Sequence, residues 1–249
     1  MKIVAIGGGE IGKPGYPIET EAIDREIIRL AGKKHPKVLF LPTASGDSLS
    51  YWETFKKYYG QKLECKPDVL YLISNNVSLR EIKEKILGAD IIYVGGGNTL
   101  KMLRIWRRRG VDKVLKEAGR KGVILSGLSA GAICWFRYGN SDSRKFGSKK
   151  SNKLIKVSGI GFLPSMACPH YDVEKSRRYS LKKMIQNCGG VSIALENCSA
   201  LEVIDGRYRV ITSSDSAEAY KVYKRRREVI EEKLPQDNKF RSIEELFGR

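Results

Sequence analysis

The chain has 249 residues, of which 41% are hydrophobic and 9% aromatic, enough to bury one sizeable core. A membrane span needs about 18 consecutive apolar residues, and no apolar run in the sequence approaches that length. The N-terminal apolar run is too short for a secretory signal, so we expect a cytoplasmic protein. The net charge of +18 comes from short, scattered basic runs without interleaved aromatic residues, which favours a solvated basic surface and no nucleic-acid partner.

Short apolar runs rich in β-branched residues alternate with helical stretches along the first half of the chain. The runs that we interpret as buried strands are 3–7, 38–42, 69–73, 91–95 and 123–127. The stretches with helical periodicity are 21–33, 51–63, 78–88 and 99–119. This alternation predicts an α/β fold with a doubly wound, mostly parallel sheet and helices on both faces.

The second half carries shorter strands with tight turns. The predicted strands are 191–197, 200–205, 208–213 and 217–223. Asp205-Gly206 is a hairpin signal, so we expect an antiparallel C-terminal extension of the sheet. The tail from about Lys224 is charged and helix-prone up to Pro235. Without an internal repeat or a linker, residues 1–249 are interpreted as a single domain.

Two glycine-rich turns follow predicted strands. GGGEIG (7–12) fits the G-x-G-x-x-G pattern of dinucleotide sites, but Lys13-Pro14-Gly15 follows and stops a helix from opening there. We therefore expect no dinucleotide. GGGNT (95–99) closes another strand, and Asn98-Thr99 can cap the next helix. Its backbone can approach a ligand closely.

A third turn, GLSAG (127–131), places Ser129 directly after a buried strand among small neighbours. This is the G-x-S-x-G pattern of a nucleophile elbow, and we expect AICWF (132–136) to continue as a helix. A serine nucleophile needs a base, and the chain has only two histidines. His35 lies in a polar turn, whereas His170 follows an apolar run at a strand end. Any Ser–His pair is therefore Ser129 with His170.

The cysteines do not predict a metal site. They are odd in number, scattered and without a C-x-x-C pair: Cys65, Cys134, Cys168, Cys188 and Cys198. We expect reduced thiols, no zinc, and no metal or other cofactor.

Four ordered motifs resemble a known family. LPTAS (41–45), GGGNT (95–99), GLSAGAICWF (127–136) and GFLP with CPHYD (161–172) closely resemble the dipeptidase E group of serine peptidases, family S51, which includes cyanophycinases. The resemblance implies a flavodoxin-like or class I glutamine amidotransferase-like sheet. It also implies that Ser129 is the nucleophile and His170 the general base. Backbone N–H groups of Gly97 or Asn98, together with Ala130, would form the oxyanion hole.

The resemblance leaves the third triad member and the substrate open. Asp142 is the preferred acid, and Glu196 is the alternative. Dipeptidase E removes an N-terminal aspartate from small peptides, which requires a cation for the side-chain carboxylate. Arg177, Arg178 or the basic loop 144–156 could supply it.

We therefore predict a serine exopeptidase of small peptide substrates that acts through an acyl-enzyme, as a monomer or a homodimer. The first alternative is an α/β-hydrolase esterase, because Ser129, Asp142 and His170 also satisfy its residue order. The second is a catalytically inactive protein of the same fold that binds a ligand or nucleic acid.

Overall fold

The computed structural model describes residues 1–146, 150–173 and 175–248. The strands of these ranges are β1 (Lys2–Ile6), β2 (Lys37–Leu41), β3 (Lys66–Val69), β4 (Ile91–Val94), β5 (Ile124–Leu128), β6 (Phe136–Ser141), β7 (Ile155–Ser158), β8 (Leu163–Cys168), β9 (Val191–Leu195), β10 (Ser199–Ile204), β11 (Arg207–Thr212), β12 (Ala219–Arg225), β13 (Glu228–Lys233) and β14 (Arg241–Ser242). The α-helices are α1 (Glu21–Ala31), α2 (Leu49–Phe55), α3 (Leu79–Leu87), α4 (Thr99–Arg109), α5 (Val111–Arg120), α6 (Ala130–Ile133), α7 (Lys175–Cys188) and α8 (Ile243–Phe247). A π-helix, Lys56–Lys62, continues α2. No helix in the described ranges is both long and apolar enough to cross a membrane.

The first sheet has eight strands in the order β14-β11-β10-β1-β5-β4-β2-β3. Its five strands from β1 to β3 are parallel to their neighbours. Three further strands, β10, β11 and β14, extend the β1 edge in antiparallel pairing. The predicted doubly wound, mostly parallel sheet with an antiparallel C-terminal extension is confirmed. The Asp205-Gly206 hairpin is confirmed too, since both residues adopt the positive φ of such turns.

Different helices cover the two faces of this sheet. On one face, α1, α2 and the π-helix pack against strand residues such as Val4 and Phe40. On the other face, α3, α4 and α5 pack against residues such as Ile3 and Leu39. Successive strand side chains point to opposite faces, so both faces need apolar residues. This explains the continuous apolar runs in the sequence.

A second sheet of six strands has the order β13-β12-β9-β8-β6-β7. Leu181 and Ile185 of α7 pack against Met166 and Val222 of this sheet. The strands predicted at 191–197 and 217–223 belong here, as β9 and β12, so the prediction that they extend the first sheet is wrong. The chain returns to the first sheet directly after β9, because β10 pairs with β1.

The prediction that the charged tail from about Lys224 is helix-prone is wrong. Residues 228–233 form β13, which pairs with β12 through a turn that Arg226 makes with a φ of 56°. The edge of β12 pairs with this segment along its whole length, and this tertiary pairing outweighs local helix propensity.

Three other boundaries differ from the predicted ones. The predicted helix 99–119 is two helices, because Gly110 between them has a left-handed φ of 71°. The third strand ends at Val69 and does not reach residue 73. The helix after Ser129 is only four residues long, because the chain turns after Cys134 and enters β6 at Phe136.

Candidate active site

Ser129 lies in a strained turn between β5 and α6. Its φ of 55° and ψ of −108° are uncommon for a residue with a side chain. The Ser129 N–H donates to the Ile6 carbonyl at 3.0 Å, which fixes the turn against the end of β1. Small neighbours are required here, since a Cβ on Gly131 would lie 2.1 Å from the Val94 carbonyl oxygen. The turn therefore holds the Ser129 side chain at the carboxyl end of the parallel strands.

His170 reaches the same strand end from the second sheet. It follows β8 with a φ of 54°, and its N–H donates to the Gly7 carbonyl at 3.2 Å. Ile6 and Gly7 are consecutive residues, so the backbones of Ser129 and His170 are anchored within one residue of each other. Among the described contacts, the Ser129 hydroxyl and the His170 ring share no direct hydrogen bond. The second histidine, His35, is exposed and contacts the Glu64 carbonyl.

The His170 ring contacts an amide that the sequence analysis did not identify. Its Nδ1 lies 2.7 Å from Oδ1 of Asn197. The Asn197 backbone N–H donates to Oδ1 of Asp172 at 2.9 Å. Gly8 packs against this pair, and a Cβ there would lie 2.1 Å from Asn197 Oδ1 and 2.4 Å from His170 Nδ1. The only sequence signal was the position of Asn197 next to the candidate acid Glu196.

The two candidate acids point elsewhere. An Asp142 carboxylate oxygen lies 3.2 Å from the guanidinium of Arg177 and 3.5 Å from the Lys145 ammonium. A Glu196 carboxylate oxygen accepts a hydrogen bond from the Glu218 N–H at 2.9 Å. In the described part of the chain neither carboxylate hydrogen-bonds the His170 ring. Neither Asp142 nor Glu196 therefore has the contact predicted for a third triad member.

The two candidate substrate cations also bind protein groups. Arg177 is 3% exposed and lies against Asp142, as described. Arg178 pairs with Glu231 at 3.4 Å, and its guanidinium lies 4.8 Å from the ring centre of Tyr171. Part of the basic loop 144–156, residues 147–149, lies outside the described residues. Neither arginine is thus placed as a free cation for a substrate.

The surroundings of His170 favour its neutral form. Burial lowers the pKa of His170 below its ordinary value of 6.5, and the positive charge of Arg177 lowers it further. The hydrogen bond with Asn197 and the charges of Asp142 and Asp172 oppose these effects without cancelling them. A neutral imidazole is the form that can accept a proton.

The GGGN turn lies against Ser129 and contains Gly97 and Asn98, the two alternatives predicted for its oxyanion donor. A Cβ on Gly96 would lie 3.6 Å from Ser129 Cβ. The Asn98 N–H donates to the Ala44 carbonyl at 2.8 Å, so the prediction of Asn98 as an oxyanion donor is wrong. The N–H groups of Gly97 and Ala130 have no acceptor within the described ranges. Both are thus open to a ligand.

A cavity of about 550 Å³ reaches Leu128, the residue before Ser129, but neither Ser129 nor His170 is among its lining residues. Leu128 lines it, as does Tyr51, whose hydroxyl accepts a hydrogen bond from the Gly96 N–H. The loop after β1 contributes Glu10 and Lys13, one acid and one base. This volume is typical of sites for small ligands. No group of three or more His, Cys, Asp or Glu side chains in the described residues is placed to hold a metal ion.

Comparisons with known proteins agree with this architecture. Over 240 residues the chain is 37% identical to an uncharacterized peptidase, YgaJ, of Bacillus subtilis (strain 168), covering 94% of this chain and 97% of the relative. It is similar in structure to a peptidase from an acI-B1 Actinobacterium, with a TM-score of 0.73, 18% identity, and coverage of 97% and 96% of the two chains. A candidate peptidase E from Listeria monocytogenes EGD-e matches with a TM-score of 0.64 and 22% identity, over 86% of this chain and 98% of that one.

The structural matches confirm the predicted flavodoxin-like, class I glutamine amidotransferase-like fold class. Residues 3–211 match the sequence profile of peptidase family S51, which covers most of the chain. The chain belongs to peptidase family S51.

Proposed function

We propose that this protein is a cytoplasmic serine exopeptidase of small peptides, in which Ser129 is the nucleophile and His170 the general base. One observation carries the proposal: Ser129 and His170 are anchored through their N–H groups to the consecutive carbonyls of Ile6 and Gly7. The strained φ of Ser129 supports it, because backbone strain of this kind is concentrated at active sites. Catalytic hydrogen bonds are often long in enzymes without substrate and shorten when substrate binds.

The proposed reaction needs no group from outside the chain except water. Nε2 of neutral His170 accepts the Ser129 hydroxyl proton while Oγ bonds to the carbonyl carbon of the scissile peptide. The resulting oxyanion accepts hydrogen bonds from Gly97 and Ala130, each worth roughly 3 kcal/mol in the transition state. His170 then passes its proton to the leaving amine. It next takes a proton from the water that hydrolyses the acyl-enzyme, and returns it to Ser129.

The cavity lined by Leu128, the neighbour of Ser129 in sequence, supports a peptide with an N-terminal acidic residue as substrate. Glu10 can bind the α-ammonium group, and Lys13 can bind the side-chain carboxylate. Lys13 takes over the role that the sequence analysis gave to Arg177 or Arg178. This assignment retains the Asp-X preference of dipeptidase E and moves its cationic contact to another residue.

Three experiments test the proposal. A fluorophosphonate probe should label the wild-type protein and leave Ser129→Ala unlabelled. A panel of X-Leu dipeptides, with Asp, Glu, Ala, Lys and Arg as X, should show fastest hydrolysis of Asp-Leu or Glu-Leu. His170→Ala should lower kcat by roughly 10²-fold to 10⁴-fold, since it removes the general base, whereas His35→Ala should match the wild type. Labelling that persists in Ser129→Ala, or equal losses from the two histidine variants, would contradict it.

A further inference from the structure

We infer that Asn197 is the positioning residue of His170. Its neutral amide orients the imidazole ring, as an acidic side chain does in most serine triads. This inference rests on the proposed function of Ser129 and His170. It is carried by the contact of 2.7 Å between His170 Nδ1 and Asn197 Oδ1. Triads in which an asparagine orients the histidine occur with cysteine nucleophiles, so an amide is chemically sufficient for the orienting role.

The contact selects one tautomer of His170. The amide oxygen of Asn197 has no hydrogen and can only accept, so Nδ1 must carry the ring proton. The lone pair of the neutral ring then lies on Nε2, on the side away from Asn197. This is the nitrogen that must face Ser129 if His170 is to accept its proton. Asn197 therefore fixes both the direction and the protonation pattern of the base.

The backbone around Asn197 is held from both sides. Its own N–H donates to Asp172, two residues after His170. The next N–H, that of Cys198, donates to the Gly8 carbonyl at 3.0 Å. Gly8 leaves room for the contact, because any Cβ at that position would overlap both Asn197 Oδ1 and His170 Nδ1. A side chain held this way can orient the ring with little loss of conformational entropy at the moment of reaction.

The nearby charged groups do not compete for Nδ1. Asp142 lies against Arg177 and Lys145, and Asp172 accepts the Asn197 N–H. Their charges act on His170 only through space, together with that of Arg177. The imidazolium formed during acylation therefore has no directly bonded carboxylate. Placing a carboxylate at position 197 should accordingly raise the pKa of His170.

The first test measures the rate of fluorophosphonate labelling of Ser129 against pH. Asn197→Ala should lower the rate on the order of 10²-fold, the lower end of what a general base supplies. In the X-Leu assay, with rates normalised to the concentration of folded enzyme, the same variant should lower kcat and leave KM nearly unchanged, as expected for an interaction that acts in the transition state. Asn197→Asp should keep most of the rate and move the acidic limb of the pH profile to higher pH. Asn187→Ala, an exposed asparagine on α7, is the matched control.

The second test reads the tautomer directly and needs no activity. His35→Gln leaves a single imidazole, whose ring nitrogens can be assigned by proton–nitrogen correlation NMR above neutral pH. His170 should show a proton on Nδ1, and in the added Asn197→Ala variant it should shift to the Nε2-protonated form that free histidine favours.

The outcomes separate the inference from the proposed function. Labelling that is absent or independent of Ser129 overturns the proposed function, whatever the NMR shows. A second outcome overturns the role of Asn197 alone. In it, labelling depends on Ser129, Asn197→Ala has the rate and pH profile of the wild type, and Asn197→Asp does not move the acidic limb of that profile. Loss of labelling in Glu196→Gln or Asp142→Asn, with Asn197→Ala unaffected, also overturns it and identifies an acid instead. A proton on Nε2 in the wild-type ring overturns the assigned tautomer.

Discussion

His170 is surrounded by groups that act on its protonation in opposite directions. Burial and Arg177 lower its pKa, whereas Asn197, Asp142 and Asp172 raise it, and the net effect is a pKa below the ordinary 6.5. The ring therefore stays neutral at a lower pH than a solvent-exposed histidine. For the proposed role of His170 as general base, the pH range of catalysis is set by how deeply the ring is buried and by which charges lie near it.

The first prediction concerns the acidic limb of kcat/KM, which should lie below pH 6.5 because the folded protein disfavours the protonated ring. Arg177→Gln removes a positive charge, so it should move this limb to higher pH. Arg178→Gln is the matched control, since Arg178 pairs with Glu231 and is not among the main causes of the shift in the pKa of His170. The measurement is kcat/KM of the best X-Leu substrate from pH 4 to 8. If Arg178→Gln moves the acidic limb as far as Arg177→Gln does, the buried charge of Arg177 is not the cause of the lowered pKa of His170.

At the residue scale, the sequence selects Ser129 and His170 as a candidate pair but does not predict the contacts that hold them. Ser129 and His170 could be selected because small neighbours, strand ends and the count of two histidines are visible in one dimension. The partner of His170 was missed by one position. Glu196 and Asn197 both follow β9, and only the folded chain decides that Glu196 turns to Glu218 and Asn197 to His170.

At the scale of elements, α2 and the π-helix that continues it enclose a buried carboxylate, that of Asp24. A wider turn places Tyr58 and Tyr59, adjacent in sequence, against the same carboxylate of Asp24 in α1. Asp24 accepts hydrogen bonds from the Tyr59 hydroxyl at 2.5 Å, the Tyr58 hydroxyl at 3.0 Å and the Thr20 hydroxyl at 2.7 Å. Burial nevertheless dominates and raises the pKa of Asp24 from 3.8 to about 6.

The second prediction follows from that raised pKa. A carboxyl group whose pKa is higher in the folded protein contributes stability below its unfolded pKa of 3.8, and this contribution is lost as pH rises through about 6. Asp24→Asn, which cannot ionise, should lack this loss between about pH 4 and 6. The free energy of unfolding in urea, measured across that range for both proteins, checks it. Parallel curves for the two proteins would rule out Asp24 as the titrating group.

The element boundaries show where sequence patterns stop being sufficient. Apolar runs found β1, β2, β4 and β5 of the first sheet because both of its faces are buried, which leaves a strong apolar signal. The sequence pattern failed for β13, an edge strand whose exposure allows Glu and Lys and thereby hides the strand. It also missed the break at Gly110, because an isolated glycine is tolerated within a helix pattern.

At the scale of the whole molecule, the site lies where the two sheets meet. Ser129 follows β5 of the first sheet, His170 follows β8 of the second, and Asn197 lies on the segment that connects β9 to β10. A single extended sheet, as predicted from the sequence, gives no reason for β8 to end beside β1. The second sheet supplies that reason, because β8 and β9 are parallel neighbours and deliver both His170 and Asn197 at their carboxyl ends.

Basic residues on some parts of the surface form ion pairs with acidic residues, whereas those on another part do not. Many cations lie in ion pairs, such as Arg25 with Glu21 and Lys33 with Asp90. A groove of about 440 Å³ next to Asn98 differs, since the cations that line it make no ion pair with any described residue: Lys101, Arg104, Arg108 and Arg144. It shares Asn98 with the turn that packs on Ser129. A positive field near the proposed active site results, which attracts anionic peptides.

The last prediction tests this field through its dependence on salt. Asp-Leu carries a net charge of −1 at neutral pH, Ala-Leu is neutral and Lys-Leu is positive, so only the first is attracted over distance. Raising ionic strength from about 0.01 M to about 0.15 M shortens the Debye length from roughly 30 Å to roughly 8 Å. The kcat/KM for Asp-Leu should therefore fall several-fold, that for Ala-Leu should stay nearly constant, and that for Lys-Leu should rise.

The double variant Arg104→Gln, Arg108→Gln should flatten the Asp-Leu curve if the groove is the main source of attraction. A fall of equal size for Asp-Leu and Ala-Leu would mean that salt acts on the enzyme itself, and the net charge of +18 would then have no part in substrate capture.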